Sequence, residues 1–232
     1  MRGHTKEERM SIEDIIPAEV TNDSFYSTLV EVATRADLKN FLEIGCSSGA
    51  GSTQALVNGL LKRPNSDARL FCLELSRTRF LNLVQTYSGH DFVIPYNLSS
   101  VKISEFPTLQ EVTHFYQTIK TNLNLYDLQT VLKWLQQDKD YISQKKLNFC
   151  GLDFIKSCNN IDTFDFALID GSEFTGEIEL QHLWGARVIA LDDVNSFKCF
   201  AAYIRLTNHY GYKLMSQDLS LRNGYAFFER AY

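Results

Sequence analysis

The chain has 232 residues, 44% hydrophobic and 22% charged, which is one domain's worth of sequence with enough apolar residues for a buried core. Its 28 acidic and 23 basic residues give a formal charge of -5, a balance that argues against non-specific binding to DNA or to an anionic membrane surface. The cysteines Cys46, Cys72, Cys150, Cys158 and Cys199 are odd in number and contain no CxxC pair, so neither a disulfide framework nor a zinc knuckle is expected. The N-terminus mixes charges and lacks the apolar core of a signal peptide. No apolar run approaches the ~20 residues of a membrane span. The expectation is a cytoplasmic protein without nucleic-acid or membrane partners.

In chain order, residues 1–23 read as an N-terminal arm, polar and mobile over 1–12. Residues 24–232 read as a single domain. Asn22-Asp23-Ser24 offers helix caps, and Phe25, Leu29, Val32 and Ala33 recur at helical spacing, predicting a helix over about 24–35. Strands are predicted at 40–45, 69–74 and 91–96, with helices from 52 and over 76–87 between them. The rhythm then breaks at 104–146, a polar insertion with two predicted helices. Thr108 and Glu111 have capping-box spacing, and Leu125, Leu128, Val131, Leu132 and Leu135 form an apolar stripe. This insertion is expected to be a lid or an arm that pairs two copies of the chain. Strands resume at 164–170 and 187–192 with a helix between them, and a further helix covers 196–208. Two last strands, near 212–216 and 224–229, are expected to join through an Asn223-Gly224 turn. Strands alternating with helices imply an α/β fold: a Rossmann-like, doubly wound parallel sheet with a C-terminal antiparallel hairpin and a helical insertion after strand three.

Glu43-Ile-Gly45-Cys46-Ser47-Ser-Gly49-Ala-Gly51 lies where the first strand turns into a helix. In a parallel sheet, ligands bind beyond the carboxyl ends of the strands, where glycines admit a ligand to the backbone and a helix N-terminus offers free N–H groups. The spacing is G-x-x-x-G-x-G. It is neither the G-x-G-x-x-G of a dinucleotide fold nor a phosphate loop. Glu74 ends the second strand, where a carboxylate can accept both hydroxyls of a ribose. This pattern resembles the S-adenosylmethionine site of the class I methyltransferases over residues 24–230, the insertion excepted. The resemblance implies that Glu43, Gly45, Cys46, Ser47, Gly49 and Gly51 form the cofactor turn and that Glu74 binds the ribose. It also implies that Asn97 and Ser99 take the adenine, with Cys150-Gly151-Leu152 as a competing adenine loop.

Asp170 ends the fourth strand, and Asp192-Asp193 end the fifth. Carboxylates gathered on neighbouring strand ends repel one another, and a divalent cation with oxygen ligands, such as Mg²⁺, would relieve this. The segments FALIDGSE and VIALDDVN resemble the metal-dependent O-methyltransferases of the catechol type, implying Asp170, Asp192 and Asp193 as metal ligands. Glu173 stands where that family has its catalytic Lys. IDGSEFTGEIEL also resembles sugar and macrolide O-methyltransferases, though without their His. Asp170 and Glu173 are therefore the candidate catalytic residues, with His182 as a less favoured base. Lys198 and Arg205 are positioned to pair with the acids. Together these readings predict S-adenosylmethionine-dependent O-methylation of a small molecule such as a sugar or polyketide. The alternatives are a non-catalytic cofactor-binding protein of the same fold and a nicotinamide-dependent oxidoreductase.

Overall fold

Strands flanked by helices on two sides must be apolar on both faces, and the central strands of this chain are. The computed structural model describes residues 11–63 and 67–231. Helix α1 (Ser24–Ala33) leads into β1 (Asn40–Ile44), α2 (Ser52–Leu60), β2 (Arg69–Leu73), α3 (Arg77–Thr86) and β3 (Val93–Tyr96). Helices α4 (Leu109–Thr118) and α5 (Leu128–Gln144) follow, with 3-10 turns at Ile103–Glu105 and Asn122–Leu125. The chain continues through α6 (Gly151–Asn159), β4 (Phe166–Ile169), α7 (Gly176–His182), β5 (Val188–Asp192), α8 (Phe197–Asn208), β6 (Tyr212–Asp218) and β7 (Tyr225–Arg230).

The seven strands form one sheet in the order β3-β2-β1-β4-β5-β7-β6. Strands β1 to β5 are parallel, whereas β7 runs antiparallel to both β5 and β6. This is the expected doubly wound sheet with its antiparallel end. Strand order reverses between β1 and β4, which opens a crevice at their carboxyl ends. Alternate strand residues serve opposite faces. Leu42, Ile44, Phe71 and Leu73 join the core under α4 to α8. Phe41, Leu70, Cys72 and Phe166 join the core under α1, α2 and α3. Among the described residues no helix is long and apolar enough to cross a membrane.

Three features differ from the sequence reading. The β6–β7 connection is not a two-residue Asn-Gly turn: Asp218 pairs with Tyr225, leaving six residues between them. Asp218 Oδ1 organises that loop by accepting from Ser220 N and Leu221 N. The buried stripe of α5 runs Val131, Leu135, Asp138, Ile142, while Leu125 is 81% exposed. Helix α5 starts only at Leu128, so Leu125 never shares its helical phase. The α5 stripe joins the main core together with Val112 and Leu123.

The third difference concerns the N-terminal segment. Residues 1–10, most of the expected mobile arm, lie outside the described residues. The part that is described lies against the domain. Glu13 accepts hydrogen bonds from Thr78 N at 2.9 Å, Ser76 Oγ at 3.1 Å and Tyr141 Oη at 2.7 Å, and Lys145 Nζ is 3.1 Å away. Burial alone would raise the Glu13 pKa, but the bonds from Tyr141 and Thr78 hold it down at about 2.

Candidate active site

A cavity of about 450 Å³ lies at the carboxyl ends of β1, β2, β4 and β5. The strap Ile12–Val20 forms one side of it, with Ile12, Ile16, Pro17, Ala18, Glu19 and Val20 on the wall. Opposite, the chain leaves β1 through Gly45, Cys46 and Ser47 and enters α2 at Gly51 and Ser52, all of them on the wall. Gly45 has φ +87°, and a Cβ there would stand 2.0 Å from the Asp170 carbonyl oxygen. The ends of β1 and β4 can approach this closely only with glycine at that position.

Two of the residues expected to form the cofactor turn do not reach the cavity wall. Gly49 faces α3, where a Cβ would meet the Tyr87 ring at 2.7 Å, and Tyr87 Oη donates to the Gly49 carbonyl. Glu43 alternates with Leu42 and Ile44, so its side chain enters the opposite core, fully buried beneath the turn. Neither carboxyl oxygen of Glu43 has a hydrogen-bond partner, and burial pushes its pKa up to about 7, only partly offset by neighbouring Ser52 and Thr53.

Glu74 does reach the cavity, at the end of β2. Its two oxygens accept separately from Ser47 N and Ser76 N, each at 2.7 Å. These bonds aim the carboxylate and join the glycine turn to the start of α3. Burial raises the Glu74 pKa to about 7 against those two N–H groups. Ser99 lies on the wall with Leu98 and Ser100. Asn97 does not: its amide donates to the carbonyls of Glu74 and Leu75 at 2.9 Å each, so it shapes the loop that carries Glu74. The Cys150-Gly151-Leu152 loop sits behind the wall, donating Gly151 N to Ser99 O and Leu152 N to Ser100 O.

At the other end, β4 and β5 pair in parallel and bring Asp170, Asp192 and Asp193 together on the wall. Lys198, from the first turn of α8, places its ammonium between two of them, 2.7 Å from Asp170 Oδ1 and 2.6 Å from Asp193 Oδ2. Burial raises the Asp170 pKa against the pull of Lys198. Asp193 is held below its ordinary value because Lys198 outweighs burial there. Asp192 is driven upward by burial, then by Asp170 and Asp193. Its Oδ1 has no hydrogen-bond partner, and Arg222 Nη2 stands 3.5 Å away.

Over 91–93% of its length the chain resembles several solved O-methyltransferases. One from Bacillus cereus, in complex with SAH, is 15% identical and matches 92% of this chain and 84% of its own, with a TM-score of 0.54. The O-methyltransferase TomG of Streptomyces achromogenes, involved in tomaymycin synthesis and in complex with SAM, is 12% identical over 93% of this chain and 83% of its own, with a TM-score of 0.53. A putative caffeoyl-CoA O-methyltransferase from Staphylococcus aureus is 12% identical over 91% and 85%, with a TM-score of 0.52. The fold is that of the class I methyltransferases. No protein-family model matches the sequence, and no curated protein does.

Within this methyltransferase fold, the three aspartates occupy the position at which the catechol-type resemblance implies a divalent cation. The residues present do not fit one. The Lys198 ammonium already lies in bonding contact with both Asp170 and Asp193, and a second cation between the same oxygens would be repelled. Among the described residues, the ligand groupings tight enough for one ion are Glu43–Cys46–Cys72 and Glu105–Cys150–His182, and neither includes these aspartates. The sequence had shown the acids and only a candidate partner in Lys198. Their charge balance depends on α8 folding back over β4 and β5.

Glu173 is not on the cavity wall. Its carboxylate accepts from Ser196 Oγ and Lys198 N, satisfying the start of α8. His182 ends α7 off the cavity wall, against Glu105 and Asp153, and Arg205 pairs with Glu177. The sequence reading missed Asp138, which is buried on the cavity wall and accepts from Ser172 Oγ at 2.6 Å. The available signal was a carboxylate in register with the Val131–Leu135–Ile142 stripe. It also missed the strap, whose Ile12, Ile16 and Val20 are too few to read as an element.

Proposed function

We propose that this protein binds S-adenosylmethionine in the cavity and transfers its methyl group to a hydroxyl oxygen of a small polar molecule, such as a sugar or polyketide. The observation that carries the reading is the pairing of Gly45–Ser47 with Glu74 across one cavity in this fold: a backbone turn held to a carboxylate by the Ser47 N–H. The Bacillus neighbour of this fold is in complex with SAH and the Streptomyces neighbour with SAM. The turn receives the methionine portion, Glu74 accepts from the ribose hydroxyls, and Leu75, Leu98 and Ser99 receive the adenine.

Transfer is an in-line displacement. The acceptor oxygen forms a bond to the methyl carbon as the carbon–sulfur bond breaks, and the electron pair goes to sulfur, giving S-adenosylhomocysteine. The chain supplies alignment of the three atoms. Lys198 has three N–H donors, of which Asp170 and Asp193 take two. The third holds the acceptor oxygen and favours its ionised form. Asp192, also on the cavity wall, takes the hydroxyl proton. Ser100, Ser172 and Asp138 line the same space and suit an acceptor with several hydroxyl groups.

Calorimetry with S-adenosylmethionine and S-adenosylhomocysteine tests the cofactor assignment, and micromolar or tighter binding is expected. Label transfer from methyl-labelled cofactor to a panel of hydroxylated acceptors tests the reaction. Binding without turnover on any acceptor would favour the non-catalytic reading. Binding of NADH in place of both cofactors would overturn the proposal.

A further inference from the structure

Behind the cavity wall, Cys150, Asp153, His182 and Glu105 converge from three segments, and Cys150 Sγ lies 3.5 Å from the carbonyl oxygen of the wall residue Ser100. Cys150 and Asp153 are three residues apart at the start of α6, so they share one face of its first turn. His182 is the last residue of α7, and Glu105 closes the 3-10 turn that begins the helical insertion. His182 Nδ1 is 3.8 Å from Cys150 Sγ and 3.3 Å from Asp153 Oδ1. Its other nitrogen, Nε2, is 2.7 Å from Glu105 Oε1.

We infer that this cluster is a binding site for a zinc-class divalent cation, held by Cys150 Sγ, His182 Nδ1 and Asp153 Oδ1, with Glu105 orienting the imidazole. A tetrahedral zinc with ordinary bond lengths separates a sulfur and a nitrogen ligand by about 3.6 Å, and a nitrogen and an oxygen ligand by about 3.3 Å. The two ion-free separations from His182 Nδ1 already match these to within a few tenths of an ångström. Glu105 accepts the Nε2 proton, which leaves the Nδ1 lone pair directed at Cys150 and Asp153. A carboxylate behind a metal-bound histidine commonly does this. Glu105 is itself fixed, since its other oxygen accepts from Lys102 N at 2.8 Å.

Sulfur, imidazole and one carboxylate oxygen together select zinc over magnesium or calcium. The site has an entry path, because the Asp153 side chain is 61% exposed while Cys150 is buried. Binding converts the Cys150 thiol to thiolate and releases its proton to solvent. The bound ion would tie the start of the insertion to α6 and α7. The adjacent Gly151 and Leu152 N–H groups already hold Ser99 and Ser100 on the cavity wall.

The test uses the untagged full-length protein, stripped with a chelator and titrated with cobalt and with zinc. One equivalent of cobalt is expected to bind with a thiolate-to-metal charge-transfer band, and zinc is expected to displace it and raise the melting temperature. Cys150→Ser should abolish the band, and His182→Gln or Asp153→Asn should weaken binding at least tenfold. Glu105→Gln should weaken it about 10–100-fold. Cys158→Ser, which alters an exposed thiol outside the cluster, should change nothing. Circular dichroism verifies that each variant is folded, and Asp153→Asn, on a largely exposed side chain, keeps the test open should Cys150→Ser unfold. No charge-transfer band in the wild type, a band that survives Cys150→Ser, or undiminished affinity in folded Asp153→Asn would each overturn the site.

Discussion

The β1–β2 wall of the cavity and the β4–β5 wall both present carboxylates at strand ends, yet they balance that charge by different means. Glu74 is held by two backbone N–H groups, one from the turn after β1 and one two residues further along its own loop. Asp170 and Asp193 are held by a side-chain ammonium from α8, with Arg222 near Asp192. Backbone donors are fixed by the turn that makes them and survive most substitutions. A buried ion network depends on a single residue, and losing it strands the other charges. The first wall is therefore held by the backbone of its own turns, while the second depends on one side chain.

The sharpest way to break that comparison is Lys198→Met. It leaves the aspartates without their cation, and unfolding free energy at neutral pH should fall by about 3–5 kcal/mol in urea titrations. Adding Asp193→Asn should recover part of the loss. The wild type, with Lys198 in place, should gain no activity from millimolar Mg²⁺. Gly45→Ala comes next, because its Cβ would collide with the Asp170 carbonyl and it requires φ +87°. A loss of about 2–4 kcal/mol is expected, measured the same way.

A smaller effect, confined to binding, is expected for Glu74→Gln. It should weaken S-adenosylhomocysteine by about 1.5–3 kcal/mol in calorimetry, the range for hydrogen bonds to a charged group. The ribose hydroxyls favour the ionised carboxylate, so wild-type affinity should fall as pH drops below about 7, the folded pKa of Glu74. That slope should be shallower in Glu74→Gln.

The last effect concerns Glu43, the buried acid beneath the turn. Its folded pKa of about 7 lies above the ordinary 4.5. The stability it contributes is thus fully present below pH 4.5 and is lost as pH rises through 7. Glu43→Gln cannot ionise, so its unfolding free energy should change less between pH 5 and pH 8, by about 2–3 kcal/mol. Equal slopes for the two proteins in denaturant titrations across that range would show that Glu43 is not titrating there.

The alternation of apolar strands with helices determined the doubly wound sheet. The short-range spacing of Gly45, Ser47 and Glu74 at the ends of β1 and β2 was legible because a strand, a turn and the next strand place those residues regardless of what packs elsewhere. The gathering of Asp170, Asp192 and Asp193 was legible for the same reason. Tertiary structure alone decided what those acids face. Lys198 reaches Asp170 across 28 positions of sequence, Ser172 meets Asp138 across 34, and Tyr141 meets Glu13 across 128. Periodicity marks which side of an element is buried, but not which polar group on another element will lie opposite. Glu173 and Glu43 carry the same lesson. Both are carboxylates inside motifs, and only the packing of α8 and the phase of β1 show that one satisfies a helix end and the other lies in the opposite core.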